Sequence, residues 1–285
     1  MQKIIFVTGK GGVGKSSYAA VLAQKYAIQG KKTLLVELGD QSFYKEFFSL
    51  EKVEYTPLQL SHNLDISLWS GKDCLKEYAL YLLKSEMLYK LFFENKISRT
   101  LIQIAPGLSE LAILGKITAG PRNHGPPTSH EVIVVDSYST GHFLALLKAP
   151  KGLSEIIRFG PMGEQSRSIF NSLLNPEICQ YHIVTLAEEL PYLEGMELYE
   201  EIEKLTKMKP KLIFNRVIET NLKEKDFLEE FKLNDFHRYI KSILQNQENY
   251  FTQTNLQKIE FVILPLIFQS NPFEFIKSLA QEVNL

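Results

Sequence analysis

Near its start the chain sets two lysines among four glycines: Gly9-Lys10-Gly11-Gly12-Val13-Gly14-Lys15-Ser16. The spacing is G-x-x-x-x-G-K-[ST], a phosphate-binding loop. The glycines let the backbone curl until successive N–H groups converge on phosphate oxygens. Lys15 is spaced to reach the β- and γ-phosphates, and the Ser16 hydroxyl to ligate Mg²⁺. A helix starting here, with Ser17 in its first turn, adds its positive dipole end. Asp136, which closes the apolar run Glu131-Val132-Ile133-Val134-Val135-Asp136, is a second candidate. A carboxylate at a strand end can hold Mg²⁺ through water.

These residues need a strand, a loop and a helix to position them. Lys3 to Thr8 reads as a buried strand, and Ser16 to Gln29 as a helix stopped by Gly30. Further apolar runs fall at 32–38, 181–186, 211–215 and 261–265, besides 131–136. They are near-continuously apolar rather than alternating, as expected of parallel strands covered on both faces. The pattern predicts a single α/β domain over residues 1–285, a doubly wound, mostly parallel sheet with its ligand at the strand C-terminal ends. Residues 71–118 break the rhythm. Leu75, Tyr78, Ala79, Leu82 and Leu83 follow helical steps, and Leu88, Leu91, Phe92, Ile97, Leu101 and Ile102 continue them. We read this stretch as a helical insertion.

The chain has 285 residues, 45% hydrophobic and 23% charged, with a net charge of −1. Such a balance exerts no general pull toward nucleic acid or anionic membrane, and no nucleic-acid partner is expected. Met1 runs directly into the first strand, and no apolar run reaches the roughly 18 to 20 residues of a membrane span. Cys74 and Cys179 form neither a metal-spaced pair nor a disulfide framework, which suits a reducing cytoplasm.

Lys10 ahead of Gly11-Gly12-Val13-Gly14-Lys15-Ser16 makes the loop a deviant one, KGGVGK[ST]. It resembles the superfamily that holds the arsenite-pump ATPase ArsA, the guided-entry ATPase for tail-anchored proteins, MinD/ParA and the nitrogenase iron protein. Four further segments resemble the ArsA and guided-entry branch. Asp136-Ser137-Tyr138-Ser139-Thr140-Gly141-His142 is similar to its switch II, with Ser139 where proline is usual. Glu188-Glu189 in Thr185–Pro191 is similar to its strand-end PEE motif, Asn215-Arg216-Val217 to its base-recognition strand, and Pro106-Gly107-Leu108-Ser109-Glu110-Leu111 to a P-G-x-x-E-L segment. The resemblance implies an ATPase using ATP and Mg²⁺. Lys10 would act across a dimer on the partner's nucleotide, and the Gly141 N–H would face the γ-phosphate. Asn215 would pair with the adenine edge, with Arg216 and Pro265 in the same site. His142 would belong to the switch by packing or hydrogen bonding.

Switch I departs from the family. Its water-orienting aspartate, in a D-P-A segment, is replaced here within Glu37-Leu38-Gly39-Asp40-Gln41-Ser42, where Gly39 takes its place. Either Asp40 or Glu37 serves instead, making Lys10, Lys15, Asp40 and Asp136 the catalytic set, or the chain is a nucleotide-gated binding module with little hydrolysis.

The remaining departures concern partners. Two cysteines cannot build a three-thiolate metalloid site within one chain, and the absence of a CxxC pair argues against the zinc of the eukaryotic guided-entry ATPase. No arsenite or zinc site is expected. The implied partner is a second copy or a related ATPase subunit, with an unknown protein client or membrane partner. Residues 150–176 read as helices packed on their own domain. The amphipathic end, 272–283, has Lys277 against Glu274 and Glu282 on its polar face. That is too few cations for a membrane anchor, so the segment is expected to dock on the domain.

Overall fold

In the computed structural model, residues 2–84, 107–219 and 235–282 are described. The strands are β1 (Lys3–Gly9), β2 (Thr33–Leu38), β3 (Leu58–Ser61), β4 (Leu64–Trp69), β5 (Val132–Ser139), β6 (Cys179–Thr185), β7 (Lys211–Val217) and β8 (Phe261–Pro265). They form one eight-stranded sheet in the order β3-β4-β2-β5-β1-β6-β7-β8. Every pairing is parallel except β3 with β4. The expected parallel sheet is therefore found, with β1 between β5 and β6.

Both faces of the sheet are covered, which is why its strands read as continuous apolar runs. Along β1, Ile4 and Phe6 enter one core, and Ile5 and Val7 the other. The first core is closed by α3 (Gly71–Leu83), α4 (Leu108–Ile117), α6 (Thr140–Ile156), α7 (Gly160–Leu173) and α8 (Glu189–Thr206). Helix α9 (Asp235–Leu256) adds Tyr250 and Phe251, partly buried against the same core. The second core holds α1 (Lys15–Ile28), Tyr44 of the short α2 (Phe43–Phe47) and α10 (Pro272–Glu282). A four-residue turn of helix, α5 (Ala119–Arg122), follows α4 directly.

The sequence reading omits the β3–β4 hairpin. Its turn carries Asn63 at φ 59, a left-handed position that asparagine tolerates. Of the expected insertion, α3 packs on α4, and α4 on α6 and α7. Leu88, Leu91, Phe92, Ile97, Leu101 and Ile102 lie outside the described residues. Lys116 of α4 is held in this packing by Glu77, 2.7 Å away, and by the rings of Tyr55 and Trp69.

The C-terminal amphipathic segment docks on α1, as expected. Ile276, Leu279 and Ala280 are buried, and Phe273 meets Phe48, just beyond α2, at a ring separation of 4.8 Å. Among the described residues no helix is long and apolar enough to cross a membrane. Because Leu279 is almost wholly buried, Leu279→Ala should destabilise the fold by about 2–4 kcal/mol in urea unfolding. An undocked tail would leave stability unchanged.

Candidate nucleotide site

The glycine loop leaves the sheet at Gly9, the last residue of β1, which is still in register with Ser139 of β5 and Val184 of β6. Gly9 has φ 142, and a Cβ there would lie 2.2 Å from the Val184 carbonyl oxygen of β6. At the far end Gly14, at φ 88, precedes α1, and a Cβ there would lie 2.3 Å from Asn215 Nδ2. A side chain would be strained at both positions, and at Gly9 it would also meet backbone. Gly11 and Gly12 face open space, leaving their backbone free to approach a ligand. Thr8 Oγ1 donates to the Tyr138 carbonyl at 3.0 Å and fastens the loop's entry to the end of β5.

Lys15 opens α1, and its Nζ donates to the Lys10 carbonyl at 3.0 Å. Burial pulls its pKa below the usual lysine value, and the charge of Asp136 partly restores it. Ser16 and Asp136 meet as the sequence predicts: the buried carboxylate accepts from the Ser16 hydroxyl. It also accepts at Oδ2 from Tyr44 Oη, 3.0 Å away. Burial raises the Asp136 pKa from 3.8 to about 6, against these two hydrogen bonds; Glu37 adds to the rise and Lys15 opposes it. Ser17 follows in the same turn of α1.

Glu37 and Asp40 separate clearly. Glu37 is the register partner of Asp136 on the adjoining strand. Its carboxylate accepts from the Phe43 N–H at 2.7 Å and from the Ser42 hydroxyl. Burial raises its pKa and these bonds lower it. Glu37 is thus committed to holding the start of α2. Asp40 is exposed on the turn after Gly39, near Tyr138.

The other predicted residues fall around this centre. Gly141 lies in the first turn of α6, where helix N–H groups lack intrahelical acceptors, and nothing crowds it. His142 is exposed and edge-on to the Tyr138 ring at 6.0 Å. Asn215 reaches the loop itself, its Nδ2 donating to the Val13 carbonyl at 2.8 Å. With Arg216, at φ 56, it borders a cavity of about 580 Å³ that Leu186, Glu188, Tyr250 and Leu266 also line. Pro265 ends β8 beside Val217, and Leu266, the next residue, reaches the cavity. Lys10 pairs with Glu194 of α8 in its own chain. Sequence reasoning missed Tyr44, Glu194 and Leu266, whose partners are distant in sequence and leave no periodic signal.

The residues present fit a magnesium–nucleoside triphosphate. An open glycine loop, a lysine resting on a carbonyl and a hydroxyl–carboxylate pair adjoin one another, and Asn215 joins the loop to a cavity roomy enough for a nucleoside. Fold and site together define a P-loop nucleotide-binding protein.

Residues 2–165 match the family described as anion-transporting ATPase. A Mycobacterium tuberculosis protein named ATPase BagA is 30% identical over 232 residues, covering 79% of this chain and 68% of its own length. A Paramecium tetraurelia protein named ATPase ASNA1 homolog 1 is 28% identical over 183 residues, covering 60% of this chain and 53% of its own. The chain belongs to the anion-transporting ATPase (ArsA) family and is an ATP-binding ATPase of that kind.

The raised Asp136 pKa carries a stability cost. Below about pH 4 the carboxyl is neutral whether folded or unfolded, so the cost is absent; it grows as pH rises and is complete above about pH 6. Asp136→Asn should therefore stabilise the metal-free protein at pH 7.5 by about 1–3 kcal/mol, with the gain shrinking toward pH 4. Denaturant melts across that range measure it, and a destabilised variant at pH 7.5 contradicts it.

Proposed function

We propose that this chain is a Mg²⁺-dependent ATPase whose nucleotide closes a dimer, with Lys10 of each protomer acting on the partner's nucleotide. The observation that carries this reading is the position of Lys10. Its ammonium stands outside the loop, on the rim, held by Glu194. Both side chains are about one-third exposed, at 30% and 37%, and a pair so placed is worth only about 0–1 kcal/mol. A triphosphate arriving from a second protomer can displace it. On the same helix as Glu194, Leu190 is 63% and Leu193 51% exposed. Exposed apolar groups beside a ligand mouth suit a partner surface.

Within one protomer, the loop N–H groups would hold the phosphates, and Lys15 would leave the Lys10 carbonyl to reach them. Ser16 and Asp136 would hold Mg²⁺, the carboxylate through water. When bound, Mg²⁺ would supply positive charge that offsets the negative charge of the triphosphate during transfer. Gly141, in the first turn of α6, offers an N–H on the γ-phosphate side. Asn215 keeps its carbonyl oxygen and one N–H for the adenine edge while holding Val13. Asp40 is the carboxylate left to orient water.

A second reading follows from Glu37. With that carboxylate capping α2 and Gly39 in the aspartate's place, the chain would serve as a nucleotide-gated binding module with slow turnover. Either way the client is a protein or a membrane partner. Buried Cys74 and Cys179, on α3 and β6, offer no clustered thiolates for metalloid.

Light scattering with a non-hydrolysable ATP analogue and Mg²⁺ tests the dimer. Wild-type protein should shift to twice its mass, whereas Lys10→Ala should need roughly tenfold more protein or remain monomeric. A wild-type chain that stays monomeric contradicts the homodimer.

A further inference from the structure

Tyr44 is fully buried in a short helix whose other side chains reach solvent. Its ring stacks on Phe48 at 5.9 Å and meets Phe43 edge-on at 5.4 Å. Its hydroxyl has one proton and two acceptors, the Ser16 carbonyl at 2.8 Å and Asp136 Oδ2 at 3.0 Å. Those two residues are the candidate cation ligands. No motif in the sequence points to this tyrosine, 92 positions from the carboxylate it touches.

A buried carboxylate must have donors. Here the protein supplies two, the Ser16 and Tyr44 hydroxyls. Ser16 is the one the cation would take for itself. Tyr44 would then be the protein donor left to hold the carboxylate's orientation. Glu37, beside Asp136 in register, holds the start of the same helix through Ser42 and Phe43. Helix α2 is thus tied to the ends of β2 and β5 by two neighbouring carboxylates, and Phe48 passes its position to Phe273 of α10.

We infer that Tyr44 is a positioning residue for the divalent cation: it fixes the Asp136 carboxylate through Oδ2 and makes the placement of α2 depend on whether the cation is bound. The inference rests on the magnesium–ATP reading of this site. It gives switch I a link to the metal that does not use the absent family aspartate.

Tyr44→Phe deletes the hydroxyl and keeps the ring, so the fold should persist, as a thermal melt will show. Binding of a fluorescent ATP analogue is measured in EDTA and then against rising Mg²⁺. In EDTA the variant should bind the analogue within about twofold of wild type. Its Mg²⁺ midpoint should rise about tenfold or more, the effect of losing a hydrogen bond to a charged group. Hydrogen exchange supplies a readout independent of turnover. In the nucleotide-bound wild type, residues 43–48 should change protection when Mg²⁺ is added, and in the variant that change should be lost. An unchanged Mg²⁺ midpoint, or equal losses of affinity in EDTA and in Mg²⁺, overturns the inference and leaves the site reading standing. Wild-type protein that retains no analogue with Mg²⁺ overturns both.

Discussion

At Gly9 the central strand passes so close to β6 that a single methyl group would sit 2.2 Å from the Val184 oxygen. That contact fixes where the chain departs from the sheet. The departure point sets the curl of the next five residues, and Gly14 closes the curl against Asn215. The loop is therefore clamped by two strands on the same side of β1, β6 through its backbone and β7 through an amide. Parallel pairing with β5 on the other side brings Asp136 level with Val7 and Ser139 level with Gly9. The carboxylate and the α6 N-terminus arrive at the loop because the register of three parallel strands puts them there.

The same register concentrates charge. Glu37 and Asp136 are partners on adjoining strands, both buried, with one lysine near. Burial opposes their ionised forms, and hydroxyl and N–H donors from Ser16, Tyr44, Ser42 and Phe43 offset part of that cost. A divalent cation would offset the rest. The folded chain thus carries an electrostatic cost in its ligand-free state, as expected where a site is organised ahead of its ligand. The division of labour is also physical. Glu37 commits its lone pairs to the start of α2, while Asp136 keeps a carboxylate that faces Ser16.

Much of this was legible in the sequence. The loop was visible because its glycines mark backbone geometry directly, and the parallel sheet because strands buried on both faces must be apolar throughout. Asp136 was visible as a carboxylate ending such a run. The β3–β4 hairpin was not, since Leu64, Ile66 and Leu68 alternate with Asp65 and Ser67 instead of forming the continuous apolar run that marked the other strands, and Ser67 is buried all the same, donating to the Tyr55 carbonyl. Tyr44 reads locally as one aromatic among four in Phe43–Phe48, and only the fold tells which of them turns inward. The cis partner of Lys10 lies 184 positions away. The contact between Asn215 and Val13 spans 202. No local pattern encodes such pairings.

ATP hydrolysis by this chain should run through the glycine loop and Lys15. Steady-state phosphate release with Mg²⁺, wild type beside Lys15→Ala, tests it most directly. Turnover is expected in the wild type, and Lys15→Ala should abolish it. Wild-type turnover no greater than that of the variant would contradict it.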